Sequence, residues 1–340
     1  MKLKSTSTIE GTQAMKKLWY VAAGITLLGS TVAAHADFPN KPITLVVPFA
    51  AGGPTDKIAR DLAEALRKPL GGTTVVVENA SGAGGTIGAA KVARANPDGY
   101  TLLVHHIGMA TAPSLYRKLS FKVPDDFETL GLINEAPSVI IGRPGVPANT
   151  FAELRQWINA SGGKVNLANA GLGSASHLCG LMLQSTLKAS MTTVPYKGTG
   201  PAMNDLLGGQ VDIMCEQATN AVPQIEGKRV KVFGVTSLQR LSLPALKDTP
   251  TLDEAGLTGF NVQIWHGLYA PKGTPPEAIA TLNTALRTAL KDPAFIKRQE
   301  SLGVTIVTDE RLEPAQHRKF LEGEKTRWAK VFKDAGEYAD

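Results

Sequence analysis

Short apolar runs alternate along the chain with stretches in which apolar residues recur every three or four positions, and glycine-rich turns separate the two. The run at 43–48 (ITLVVP) predicts a buried strand, residues 49–56 (FAAGGPTD) a turn, and the helical spacing over 57–68 a helix. The unit then repeats: a strand at 73–77, a glycine-rich turn at 78–85, a helix at 86–95 and a strand at 100–104. Strands alternating with helices imply an α/β fold with a parallel sheet covered on both faces. Ligands of such sheets bind at the carboxyl ends of the strands, where these turns lie.

The middle of the chain reads as a second α/β lobe. Helices are expected at 151–160, 177–188 and 201–208, and strands at 165–168, 192–195, 211–215 and 230–235. Breaks rich in proline and glycine near 143–147 and 271–276 bracket this region, so the chain is expected to leave a first lobe and return to it. The expected division is 1–36 leader, 37–138 first part of lobe 1, 139–262 lobe 2, and 263–340 the return to lobe 1. Amphipathic helices at 276–290 and 312–332 close the chain. A ligand cleft between the lobes follows from this order.

The leader changes how the charge is read. Lys16 and Lys17, the apolar run at 18–28 and Ala34-His35-Ala36 form the three parts of a cleavable secretory signal, with cleavage after Ala36. Residues 1–14 are polar, which leaves open an extended n-region or a start at Met15. Formal charge is +6 over the whole chain, and removal of Lys2, Lys4, Glu10, Lys16 and Lys17 leaves +3. So small and dispersed a charge does not point to nucleic acid or an anionic membrane. About three hundred remaining residues, in a chain 43% hydrophobic, suffice for a large core in two lobes. Cys179 and Cys215, the two cysteines of the chain, form either a bridge in an oxidising compartment or a pair of buried thiols.

Three turns carry the candidate chemistry: 51–56, 81–88 and 171–177 each follow a strand and open a helix. Unpaired amides at a helix N-terminus, backed by the positive end of the dipole, attract anions, and glycine lets a ligand approach the backbone. About four charge-assisted hydrogen bonds would hold a carboxylate with roughly micromolar affinity after ordering costs. The alternative is that the glycines only shape tight turns. Enzyme motifs fail: the last glycine of a dinucleotide fingerprint beginning at Gly82 falls on Ile87, no phosphate-loop lysine occurs, and Ser174 and Ser176 do not sit in a nucleophile elbow. A secreted α/β hydrolase using Ser174, Ser176 or His177 is the rival from another class. His105-His106 at a strand end read as ligand donors, metal ligands or packing, with His106 taken as pocket-lining. No metal or cofactor is called for. Lys197 reads as an aid to an anionic ligand or as a solvated lysine, Phe49 and Trp265 as cleft wall or core, and Asp56 as a cap or as an acceptor for a ligand group.

In order along the chain, FPNKPITLVVPFAAGGPTDKIAR, VVVENASGAGGTIGA, NPDGYTLL, GSASHL, VPYKGTGPAMNDLLGGQVDIM and WHGLYAPKGTP resemble the Bug-type solute receptors of tripartite tricarboxylate transporters. The resemblance implies a periplasmic, two-lobed receptor of the Venus-flytrap, type II-like kind. Such a receptor closes over a small carboxylate as a monomer and delivers it to membrane permease subunits. It further implies that backbone amides and water hold the carboxylate, from Phe49, Ala51, Gly52, Gly53, Thr55 and Asp56 on one side and Gly171, Gly173, Ser174, Ser176 and His177 on the other, with Thr86 and Thr199 added. Similar receptors also report to sensors, which the sequence does not separate from transport. Family ligands include tricarboxylates, C4 to C6 dicarboxylates, acidic amino acids and aromatic carboxylates. Phe49 and the histidine pair suit an aromatic diacid such as terephthalate.

Overall fold

A computed structural model describes Met1 and residues 38–335. The leader expected over 1–36, with its cleavage site at Ala36, lies otherwise outside the described residues. In the first βα unit, strand β1 (Ile43–Val47) buries Ile43, Leu45, Val46 and Val47 completely. Each such side chain contributes roughly 1.5–3 kcal/mol on burial. There follow α1 (Pro54–Arg67), β2 (Val75–Asn79), α2 (Thr86–Ala93), β3 (Thr101–His106), α3 (Gly108–Leu115) and the long β4 (Phe127–Gly142). The chain continues through α4 (Phe151–Ala160), β5 (Asn166–Asn169), α5 (Ala175–Leu187), β6 (Thr192–Pro195), α6 (Thr199–Leu207), β7 (Ile213–Gln217) and α7 (Ala218–Glu226). It ends with β8 (Lys231–Val235), β9 (Gln263–Pro271), α8 (Pro276–Ala289), α9 (Pro293–Glu300), β10 (Thr305–Ile306) and α10 (Pro314–Ala335).

Strand β1 pairs in parallel with β2 and β3, and β5 pairs in parallel with β6 and β7. Antiparallel pairs join these two parallel groups. Strand β9 lies between β3 and β4, and β4 changes partners along its length: residues 127–137 face β9, and residues 138–142 lie between β7 and β8. The sheet is therefore mixed, where the alternation of elements implied a parallel one. β4 and β9 stand outside the sequence-expected elements for a physical reason: both are buried on two faces, so neither shows an alternating pattern. Gly131 and Pro137 further interrupt β4, which shifts its register on β9 near Gly131.

Three helices begin earlier than their apolar spacing suggests. Pro54, Ala175 and Thr199 already occupy first turns, and proline suits that position because its missing N–H would be unpaired there. Cys179 on α5 and Cys215 on β7 are bonded, with Cα atoms 6.0 Å apart, which resolves the bridge-or-thiols alternative and ties helix to strand. Helix α10 packs on α3 and β4, and α8 on α1 and β4. No described helix is long and apolar enough to cross a membrane.

Candidate functional site

Helices α1, α5 and α6 all start at one cavity. Phe49, Ala50, Gly53, Pro54 and Thr55 line one side, with His106. Ala170, Ser174, Ala175, Ser176, Thr199, Glu216 and Gln217 line the other. The N–H groups of Thr55 and Asp56, Ala175 and Ser176, and Thr199 and Gly200 belong to first turns and so lack intrahelical acceptors. No lysine or arginine is among the lining residues. An anion held here would be held by backbone amides and helix dipoles.

Of the sequence candidates, Phe49, Gly53, Thr55, His106, Ser174, Ser176 and Thr199 meet at this cavity. The others are not among its lining residues. Asp56 accepts from the Gly52 amide at 2.8 Å, Asn79 Nδ2 at 2.9 Å and Arg60 Nε at 2.9 Å, so it braces the loop that carries Ala51 and Gly52. Burial opposes its ionisation, but the bonds from Arg60, Gly52 and Asn79 prevail and hold its carboxyl below the usual range. Thr86 donates its hydroxyl to Ala83 O. Gly171 and Gly173 adopt φ of +111° and +80°, shaping the turn ahead of α5. His177 Nδ1 accepts from the Gly173 amide at 3.2 Å, and its own amide donates to the N-cap Ser174 Oγ. Burial lowers the His177 imidazole to about 4.

Behind the cavity lies a histidine cluster whose third member, His266 on β9, only the tertiary fold supplies. Phe49 stacks on His106 with centroids 4.5 Å apart. His105 Nδ1 accepts the His106 amide, and His106 Nδ1 accepts the Gly108 amide, each at 2.8 Å. The remaining nitrogen of each ring therefore carries the proton when the ring is neutral. Burial pushes His105 and His266 down to about 3, and His106 well below its ordinary value. No group of three histidine, cysteine or acidic side chains suited to a metal occurs among the described residues.

Glu216 and Gln217, at the end of β7, escaped sequence reasoning because a carboxylate in an anion site runs against simple charge logic. Burial drives the Glu216 carboxyl up to about 8. The Gln217 amide, the Thr199 side chain and the charge of Lys57 offset burial only in part. Lys57 Nζ, half-buried on α1, donates to Asn220 Oδ1 at 3.0 Å.

Loops of the two parallel strand groups also touch. Tyr116 Oη, just after α3, donates to Leu172 O at 2.8 Å. Gly84 sits so close that a Cβ there would lie 1.9 Å from the same oxygen, at φ +60°. A Cβ on Gly198 would lie 2.8 Å from that of Ala50. Only glycine permits these approaches.

Comparison with known proteins points one way. A family model described as the tripartite tricarboxylate transporter family receptor (TctC) matches residues 58–336. The UPF0065 protein in the TAR-I ttuE-ttuC' intergenic region of Agrobacterium vitis is 45% identical over 92% of this chain and 89% of its own length. Among solved structures, that of the periplasmic binding protein BugD matches with TM-score 0.85 and 50% identity, covering 88% of this chain and 99% of its own. MatC from Rhodopseudomonas palustris with bound malate matches at 0.82 and 39%, covering 86% and 99%. R. palustris Rpa4515 with adipate matches at 0.83 and 30%, covering 88% and 99%. The two-lobed fold of the periplasmic binding proteins is thereby shown for this chain.

Proposed function

The chain belongs to the receptor family of tripartite tricarboxylate transporters, and on that premise we propose that it is a periplasmic receptor for a small aliphatic dicarboxylate. It acts as a monomer exported by its leader, and passes the ligand to membrane permease subunits. The observation that carries this reading is the convergence of three helix N-termini on one cavity without a lysine or arginine in its wall. Such a site selects carboxylates through amides that need no reorganisation. The malate and adipate complexes of the two relatives support the chain length of the ligand. Phe49 and His106 stack on each other, and both histidines spend a ring nitrogen on local backbone. This pairing favours an aliphatic diacid over an aromatic one such as terephthalate.

Lobe limits at 37–138, 139–262 and 263–340 belong to the same proposal, supported by the exchange of partners along β4 between Pro137 and Ser138. Closure would bring the carboxylate into contact with amides of both lobes at once, which biases the open–closed equilibrium. We assign no catalysis to the site: Ser174 Oγ serves as an N-cap beside Ser176 Oγ at 3.1 Å, and the His177 ring turns to the Gly173 amide rather than to a serine. Calorimetric titration with diacids of four to six carbons, followed by mass spectrometry of the recovered ligand, tests both halves. Binding with unmodified recovery is expected; product formation would overturn the receptor reading.

A further inference from the structure

Besides backbone amides, the cavity wall carries side-chain oxygens of Thr55, Glu216 and Gln217. Asp61 on α1 sets the hydrogen-bond direction at Thr55 from outside the cavity. Its carboxylate oxygen Oδ2 accepts from Gln299 Nε2 at 2.7 Å, so Gln299 Oε1 is left to accept from Asn134 Nδ2 at 3.1 Å. Asn134 Oδ1 must then accept from His266 Nδ1 at 2.9 Å, which leaves His266 Nε2 as an acceptor for the Thr55 hydroxyl at 3.3 Å. An ionised carboxylate can only accept, and that fact fixes every donor in the chain. Asn134 and Gln299 are fully buried, as is His266. The Thr55 hydrogen is thus committed to His266, and the hydroxyl that lines the cavity has only lone pairs to offer a ligand.

Two further unpaired oxygens share that cavity. Glu216 Oε2 and Gln217 Oε1 are buried, on residues 1% and 5% exposed, and neither has a hydrogen-bond partner among the described residues. A buried polar atom left unpaired is costly, and native sites that contain one reserve it for a partner.

We propose that Thr55, Glu216 and Gln217 form a specificity subsite that receives a hydrogen-bond donor on the ligand's carbon skeleton, so that the ligand is a hydroxy- or amino-substituted dicarboxylate and not an unsubstituted one. This rests on the dicarboxylate reading above. The hydroxyl and ammonium forms share the donor chemistry and differ at Glu216. Near neutrality burial keeps Glu216 protonated against the charge of Lys57. A ligand hydroxyl can then accept from Glu216 while donating to Gln217 Oε1 or Thr55 Oγ1. An ammonium group would instead take the place of the Glu216 proton and expel it.

The test is calorimetric titration at pH 7 of succinate, L-malate and L-aspartate, which share one four-carbon diacid skeleton, into the wild-type protein and into Thr55→Val and Gln217→Met. At least one substituted acid should bind ten times or more tighter than succinate. The variants should shrink that ratio to below threefold, and circular dichroism of each without ligand reports that it folds. Measurement in buffers of different ionisation enthalpy separates the sources: release of about one proton marks the ammonium, and none marks the hydroxyl. Succinate binding as tightly as both substituted acids overturns the inference alone and leaves the dicarboxylate receptor standing. Failure of all three acids to bind overturns both.

Discussion

Removing the Tyr116 hydroxyl should loosen the closed receptor without touching the ligand. Tyr116 follows α3 and its Oη reaches Leu172 O, in the loop ahead of α5, at 2.8 Å. A net hydrogen bond of this kind contributes about 1 kcal/mol. If it forms only when the lobes close, its loss lowers the closing constant by roughly fivefold and raises the apparent Kd by the same factor. The rise should appear in the dissociation rate, because encounter precedes closure. Gly84→Ala acts on the same contact more strongly. Its Cβ would fall 1.9 Å from Leu172 O and 2.5 Å from Tyr116 Oη. Strain from an alanine at φ +60°, about 1 kcal/mol, is common to open and closed forms and lowers Tm. The clash belongs to the closed form and should weaken binding by roughly tenfold or more. Calorimetry and stopped-flow fluorescence read the two effects. Unchanged Kd in Tyr116→Phe together with wild-type binding by Gly84→Ala would show that this contact does not separate on opening, and the closure argument would fail.

Other expectations follow from the same structure. The Cys179–Cys215 bridge closes a segment with a sequence separation of 36, so Cys179→Ala/Cys215→Ala should lose roughly 4 kcal/mol in urea unfolding by the loop-entropy relation; an unchanged midpoint would refute it. Ser174→Ala removes the cap that accepts from His177 N, and should lower stability by about 1 kcal/mol and weaken ligand binding at the cavity wall. Buried His105, His266 and His317, lowered to about 3, and His177, lowered to about 4, bind protons only on unfolding as pH falls below 6.5, so their contribution is full above that pH and is lost below it. Glu216, raised to about 8, acts oppositely: its contribution is full below 4.5 and is lost as pH rises toward 8. Together they place maximal stability near pH 7, with a loss of roughly 3 kcal/mol between pH 6.5 and 5.5. A Tm that is flat across that interval would contradict the assignment of neutral buried imidazoles.

Much of the molecule was legible where local and tertiary signals agree. Residues 43–68 announce strand, turn and helix because an apolar run, a glycine pair and helical spacing follow one another. The turns at 51–56 and 171–177 could be singled out because each follows a strand and opens a helix, although glycine and serine there also serve as caps and tight turns. β4 was not legible: FETLGLINEAPSVIIG buries nearly every residue, contains glycine and proline, and so offers neither period. Helices α3 and α7 hide behind internal prolines, Pro113 and Pro223. Asp56, Gly171 and His177 were marked as ligand-binding; the structure bonds Asp56 and His177 within their own turns and leaves all three out of the cavity lining, which no one-dimensional pattern distinguishes from lining it. His266 and Asn134 meet Thr55 only because β9 pairs with both β3 and β4. Glu216 lies in β7 beyond Cys215, where the apolar signal of the strand ends, and nothing local marks it as a cavity residue.

The central claim is that backbone amides at three helix N-termini capture a dicarboxylate. Its most direct test compares L-malate with its dimethyl ester by calorimetry at pH 7, since the ester keeps skeleton and hydroxyl while losing both charges. A Kd on the order of micromolar is expected for the diacid, with no measurable binding of the ester. Equal binding of the two, or binding of the ester alone, would contradict it.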